Sequence, residues 1–162
     1  MKQRVAISLL DWLRTGFFGP LRFGQTRAEI ALLLGQPDDV GGTSRKYRRP
    51  TIWKYGDFEL YFWPGGDALS GIQSDTFNVP HGGPRIQLDP WQLRGGIAQH
   101  TIEEAFTSAG IAYHIAASPH LAGTTQIITT SGVWLNFEAQ SVDASETPAL
   151  YAIGQSAGTI VA

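Results

Sequence analysis

The side chains able to do acid–base, nucleophilic or metal chemistry are few and scattered. The four histidines, His81, His100, His114 and His120, sit in unrelated contexts. None belongs to an HExxH pair or to a local acid–His–nucleophile signature. His81, between Pro80 and Gly82-Gly83, is expected on an exposed connection, and Tyr113-His114 in a strand or loop after a helix. Asp38-Asp39 and Glu103-Glu104 are adjacent carboxylates, but neighbours on a helix point in different directions, which suits shared acid–base work poorly. No spacing brings three ligands together, so the expectation is no catalytic residue, no metal and no cofactor. The chain has no cysteine, which excludes disulfides, thiolate ligands, a nucleophilic thiol and a lipid-anchored cysteine. Gly41-Gly42-Thr43-Ser44 lacks the phosphate-loop lysine and opens no helix signal.

Charge is the one feature with a direction. The net charge is −2, yet residues 1–54 hold ten Lys/Arg against four acids, and residues 55–162 hold two against ten. Arg45-Lys46-Tyr47-Arg48-Arg49 supplies much of the first excess. Such a split makes a dipole able to steer a partner. One five-residue patch in an otherwise acidic chain gives few phosphate contacts, so nucleic acid is not the expected partner.

The elements that must position these residues are better written. Thr26 and Glu29 have capping-box spacing, Gly35 and Pro37 stop a helix, and Arg27–Leu34 is predicted between them with Ile30, Leu33 and Leu34 buried. Gly35–Gly42 is expected as loop. Gly56-Asp57, between two aromatic runs, predicts a two-residue type II′ hairpin turn, and a third strand follows near Leu69–Gln73. The unit then recurs. An offset of 75 carries Thr26, Glu29 and Gly35 onto Thr101, Glu104 and Gly110, and Leu60 and Phe62 onto Leu135 and Phe137. It also places Ser131-Gly132 as a second hairpin turn. Leu21-Arg22-x-Gly24 matches Leu93-Arg94-x-Gly96 at offset 72, and Ala68-Leu69-x-x-Ile72 matches Ala149-Leu150-x-x-Ile153 at offset 81. The extra residues fall in the polar cluster 139–148.

The fold class is therefore α+β: two tandem helix–antiparallel-meander units forming one sheet with helices on one face. The expected division is 1–20, an N-terminal helix (over 3–15) and connector; 21–76, the first unit; 77–92, a linker; and 93–162, the second unit. Asp89-Pro90-Trp91 is read as a cap with proline at the first helical position. Asp11 interrupts the N-terminal apolar run and no cleavage site follows, so no signal peptide is read; with no run long enough to span a bilayer, the expectation is a cytoplasmic protein without a membrane partner.

Hairpin register sorts the aromatics. With Gly56-Asp57 as the turn, Trp53, Tyr55, Phe58, Leu60 and Phe62 share the helix side, and Lys54, Glu59, Tyr61 and Trp63 share the other, Lys54 and Glu59 forming a cross-strand ion pair. Val133, Leu135 and Phe137 likewise face the helices, and Trp134 and Asn136 the other side. That second face is either a binding surface or the seat of a terminal element, the first helix above all. Trp and Tyr dominate protein–protein hot spots, which favours binding.

The pattern of Gly24, Thr26, Glu29, Gly35, Pro37, Trp53, Tyr55 and Phe62, with Thr101, Glu104, Gly110 and Phe137 in the repeat, resembles the helix–meander unit of the SmpA/OmlA small lipoproteins. Its duplication resembles the beta-lactamase-inhibitor-protein-like fold. The first unit is also similar to bacterial proteins encoded near toxin systems, some regarded as immunity proteins. The resemblance implies a two-unit sheet presenting an aromatic-rich face to a protein. The leading expectation is a non-enzymatic protein-binding module, an inhibitor or immunity protein of a bacterial toxin. Its contacts would be Lys54, Glu59, Tyr61, Trp63, Trp134 and Asn136, with Arg45, Arg48 and Arg49 steering. The alternatives are a small-ligand or enzymatic site in the sheet concavity, with His114 or His120 titrating there, and a homo-oligomer that buries the same face.

Overall fold

A computed structural model describes residues 3–75, 78–118, 124–139 and 148–158. His120 and most of the 139–148 cluster lie outside these. The fold is α+β, and both units are present. In the first, helix α2 (Arg27–Leu34) precedes β2 (Asp39–Gly41), β3 (Ile52–Tyr55), β4 (Phe58–Phe62) and β5 (Leu69–Asp75). In the second, α3 (Gln99–Ala109) precedes β7 (Tyr113–Ala117), β8 (Thr125–Thr129), β9 (Trp134–Glu138) and β10 (Ala149–Ser156). Among the described residues the two meanders join in one antiparallel sheet of order β2-β3-β4-β5-β10-β9-β8-β7.

The predicted register of the first hairpin holds: Tyr55 opposes Phe58, Lys54 Glu59, Trp53 Leu60 and Ile52 Tyr61. Gly56 has φ of 57° while Asp57 does not turn positive, as a type II′ turn requires. The position needs glycine twice over. A Cβ on Gly56 would stand 2.3 Å from the Gly83 nitrogen, because the 81–83 connection docks on the turn. There Asp57 N donates to His81 O (2.9 Å), and His81 N to Asp57 Oδ2 (2.9 Å).

The units repeat down to single hydrogen bonds. Gly24 N donates to Leu69 O and Gly96 N to Leu150 O, each at 2.9 Å; Leu69 N returns to Gln25 O and Leu150 N to Ile97 O. Both closing strands carry the same bulge, at Ser70 and at Tyr151. At the seam Gln73 opposes Gly154, and these are equivalent positions 81 residues apart. A local two-fold axis therefore passes through the middle of the sheet.

Several expectations are corrected. The capping box of α2 is present, with Thr26 Oγ1 accepting from Glu29 N (3.2 Å) and Thr26 N donating to Glu29 Oε2 (2.7 Å). Its supposed copy is not. The N-cap of α3 is Ala98, without a side-chain bond, so Thr101 and Glu104 lie inside the helix. Ala98 matches Thr26 at offset 72, as the bridges Thr26–Ala68 and Ala98–Ala149 also show. The second helix is three residues longer, which shifts the stop at Gly110 to offset 75. On α2, Leu33 is 37% exposed and the buried stripe is Arg27, Ile30 and Leu34, because positions 27, 30 and 34 follow the helical period. Gly35–Gly42 is not all loop, since β2 occupies its end. The second hairpin has a three-residue loop, Thr130-Ser131-Gly132, closed by Thr129 N donating to Val133 O (2.9 Å). Asp89-Pro90-Trp91 starts no helix: Asp89 Oδ1 accepts from Trp91 N (2.9 Å), and Leu93 N donates to Pro90 O, which closes a turn.

The N-terminal stretch is not one helix. Strand β1 (Val5–Ser8) pairs in parallel with β6 (Ile86–Asp89), which lies within the expected linker, and α1 (Leu9–Thr15) follows under a Ser8 cap. Trp12 and Leu13 of α1 join Ile30, Leu34, Ile102 and Phe106 in a single core against Phe58, Leu60, Leu135 and Phe137. Trp12 packs edge-on to Phe18 (4.9 Å), and Phe18 contacts Phe58 (4.9 Å). Trp12 Nε1 donates to Gln155 Oε1 (2.8 Å), and Ser131 Oγ donates to Leu13 O (2.7 Å). The helix thus sits under the seam, on the side of α2 and α3. Each such buried aliphatic or aromatic side chain contributes about 1.5–3 kcal/mol over exposure.

Unequal caps give a direct test. Thr26→Ala is expected to cost about 1 kcal/mol in urea unfolding, whereas Thr101→Ala costs under about 0.5 kcal/mol; Ala98→Ser gains up to about 1 kcal/mol by supplying the missing cap. Equal losses from the two threonine variants would contradict the assigned helix start.

Candidate interaction face of the sheet

Strand alternation gives the sheet a second face, opposite the helices. A single row crosses it from edge to edge: Asp39, Lys54, Glu59, Gln73, Gly154, Trp134, Ile128 and His114, each paired with the next. One flanking row contains Ile52, Tyr61, Gly71 and Ser156. The other contains Asp75, Ala152, Asn136, Gln126 and Ala116. Lys54, Asp39 and His114 are exposed; Glu59, Tyr61, Gln73, Trp134 and Asn136 are half-buried. The first helix does not cover this face, for the reason given above.

The polar groups on the first unit's half are tied together. Tyr61 Oη donates to Glu59 Oε2 (2.5 Å) and accepts from Gln73 Nε2 (2.9 Å). Burial, and next the hydrogen bond to Glu59, push the Tyr61 phenol well above its ordinary range. The expected Lys54–Glu59 ion pair is not formed: the carboxylate is engaged by the phenol, and no Lys54 pair lies within 4 Å among the described residues. On the second unit's half, the Trp134 indole occupies the space over Gly154, where a Cβ would stand 2.2 Å from Cζ2. Gln126 Nε2 donates to Asn136 Oδ1 (2.8 Å). Tyr151, the bulge residue, lies beside Asn136, and burial followed by the Glu138 charge raises its phenol.

Five of the expected contact residues, Lys54, Glu59, Tyr61, Trp134 and Asn136, therefore share adjacent rows. Trp63 lies one position past the end of β4 and is 54% exposed. Arg45, Arg48 and Arg49 lie elsewhere, on the connection from β2 to β3. Arg48 and Arg49 line a cleft of about 350 Å³ with Arg27, Tyr47 and Asp67. Arg27 Nη1 donates to Asp67 Oδ1 (2.8 Å) and Arg49 Nη2 lies 3.1 Å from the same oxygen. The Arg27 hydrogen bond holds the Asp67 carboxyl below its usual range. The three described histidines are not gathered: His81 is on the connection at the first turn, His100 on α3 and His114 on an edge strand. No group of three metal-ligating side chains forms among the described residues. None of the described helices is long and apolar enough to cross a membrane.

Pairing arithmetic within the first hairpin could not reach Gln73, Gly154, Gln126 and Tyr151. Gln73 is placed by the β4–β5 pairing, Gln126 by the β8–β9 register, Gly154 by the β5–β10 seam and Tyr151 by the bulge in β10. Arg27 also escaped, since a charged residue in a first helical turn reads as surface; Asp67 and the backbone carbonyls that pair with it are distant in sequence. Compared with protein-family models, with curated proteins and with solved structures, the chain matches none.

The Tyr61 phenol fixes a pH dependence. Its folded pKa lies above the unfolded value of 10.0, so its contribution to stability is complete below that value and is lost as pH rises through the folded pKa. Tyr61→Phe should therefore flatten the alkaline limb of unfolding free energy against pH. An unchanged limb would contradict the Glu59–Tyr61–Gln73 network.

Proposed function

We propose that the chain is a non-enzymatic protein-binding module that engages its partner through the face described above. Its resemblance to two-unit inhibitor and immunity-type proteins points to a bacterial toxin as that partner. The observation that carries the reading is the Trp134–Gly154 arrangement at the centre of a sheet face that none of the described helices covers. A large indole laid on a glycine keeps one side for a partner and loses little rotamer freedom on binding. Tyr61, fixed by Glu59 and Gln73, is preorganised in the same way. Around these aromatics stand exposed or half-buried amides and the unpaired Lys54, the polar setting that surrounds interface anchors.

Four clefts of about 150 to 350 Å³ lie against α1, along β1–β6 and at the Arg27–Asp67 corner. A deep pocket with convergent polar groups would favour a small ligand, whereas the ordered rows of half-buried side chains on the face suit a broad protein contact.

The test is affinity capture with the wild type and with Tyr61→Ala/Trp134→Ala, alongside Lys54→Glu as a variant that leaves the packing intact. The wild type should retain a stoichiometric protein partner; the double variant should lose it at least about 30-fold, as two interface anchors of about 1–2 kcal/mol each imply. Lys54→Glu should slow association and change its salt dependence. Undiminished capture by the double variant, with its fold intact by circular dichroism, would overturn the assignment.

A further inference from the structure

A second feature, independent of the sheet face, is the cleft between the 42–50 connection and the 63–67 turn. Its lining holds four cations, Arg27, Lys46, Arg48 and Arg49, against one carboxylate, Asp67. Two of the guanidinium groups already share that carboxylate. Lys46 and Arg48 are exposed and make no ion pair among the described residues; the Lys46 ammonium stands 5.3 Å from the centre of the Tyr47 ring. Like charges collected on one short connection repel one another, and a bound anion relieves that repulsion.

The cleft is also built, because Arg27 braces it from inside. This side chain is buried (4% exposed) and its guanidinium lies 4.2 Å over the Phe62 ring. Arg27 Nη2 donates to Pro50 O (2.7 Å) on one wall; Nη1 donates to Gly66 O (2.9 Å) and Asp67 Oδ1 (2.8 Å) on the other. Both walls are thereby held at a set distance before any ligand arrives, which lowers the entropic cost of binding. Phe62 and Arg27 belong to the helix side of the sheet, so this site and the proposed protein-binding face point in different directions. A volume of about 350 Å³ suits a small molecule rather than a polymer.

We propose that this cleft binds a phosphate-bearing small molecule, its phosphate held by Lys46, Arg48 and Arg49. Guanidinium forks match the paired oxygens of a phosphate, Lys46 adds a point charge, and the Tyr47 ring walls the remaining space. Arg27 is a positioning residue, occupied with the walls.

The experiment is titration of the full chain with inorganic phosphate and with phenyl phosphate, read by calorimetry and by thermal shift, against sodium chloride at equal ionic strength. A saturable heat and a rise in melting temperature that chloride does not reproduce are expected. Lys46→Ala/Arg48→Ala should weaken binding at least about tenfold without lowering the melting temperature in the absence of anion, since neither side chain makes an ion pair among the described residues and their removal relieves repulsion. Tighter binding of phenyl phosphate, with the margin lost in Tyr47→Ala, assigns a phosphate ester; equal or weaker binding assigns the free anion. Chloride reproducing the shift, or the double variant binding as the wild type does, would overturn the proposal.

Discussion

The pairing of β5 with β10 is the constraint on which the rest of the structure depends. Each meander alone would end in an edge strand whose backbone N–H and C=O groups face water or another chain. Joined antiparallel, the two edges satisfy each other, and the repeat equivalents Gln73 and Gly154 come face to face. The core becomes continuous from Phe62 to Phe137 across the seam, and α1 closes it from below through Trp12 and Gln155. Because the seam is made by strands, no helix is needed on the far side. Leu9, Trp12 and Leu13 of α1, Ile30 and Leu34 of α2, and Ile102 and Phe106 of α3 are buried in the same core, and the opposite face is left with aromatic and amide side chains in ordered rows.

What was legible in the sequence follows the range of each interaction. The limits of α2, its capping box and the register of the first hairpin depend on residues within a few positions of one another, and they hold. The sorting of Val133, Leu135 and Phe137 from Trp134 and Asn136 survives even though the second loop is one residue longer than expected, because alternation runs back from the strand and not from the turn. The repeat was legible through glycines and buried leucines. Its second cap was not: Thr101 and Glu104 fall at the right spacing by coincidence of a three-residue helix extension. The N-terminal β1 escaped because its partner, β6, is some eighty residues away, and a short apolar run has the same appearance in strand and helix. Arg27 was illegible for a related reason. Its burial is bought by Asp67, Pro50 and Gly66, distant in sequence, with Phe62 stacked beneath it.

The expected contact residues separate into two places with different chemistry. Lys54, Glu59, Tyr61, Trp134 and Asn136 form a broad surface around the local two-fold axis, with polar groups tied to each other and an indole supported by glycine. Arg48 and Arg49 belong instead to a compact, strongly cationic cleft at the α2 corner. Arg27, Lys46, Arg48 and Arg49, four of the ten Lys/Arg of the first 54 residues, line that cleft. The arginines expected to steer a partner thus lie apart from the aromatic face, on the connection from β2 to β3.

The central claim is that the side of the sheet opposite the described helices is where a second protein sits. It is tested most directly by placing a photo-crosslinking side chain at Gln73, at the middle of that face, and, in a parallel sample, at Leu32, which is 79% exposed on α2. Irradiation in cells is predicted to yield one discrete adduct with another protein from position 73 and none from position 32. An adduct from position 32 alone, or an adduct at position 73 with only a second copy of this chain, would contradict the account.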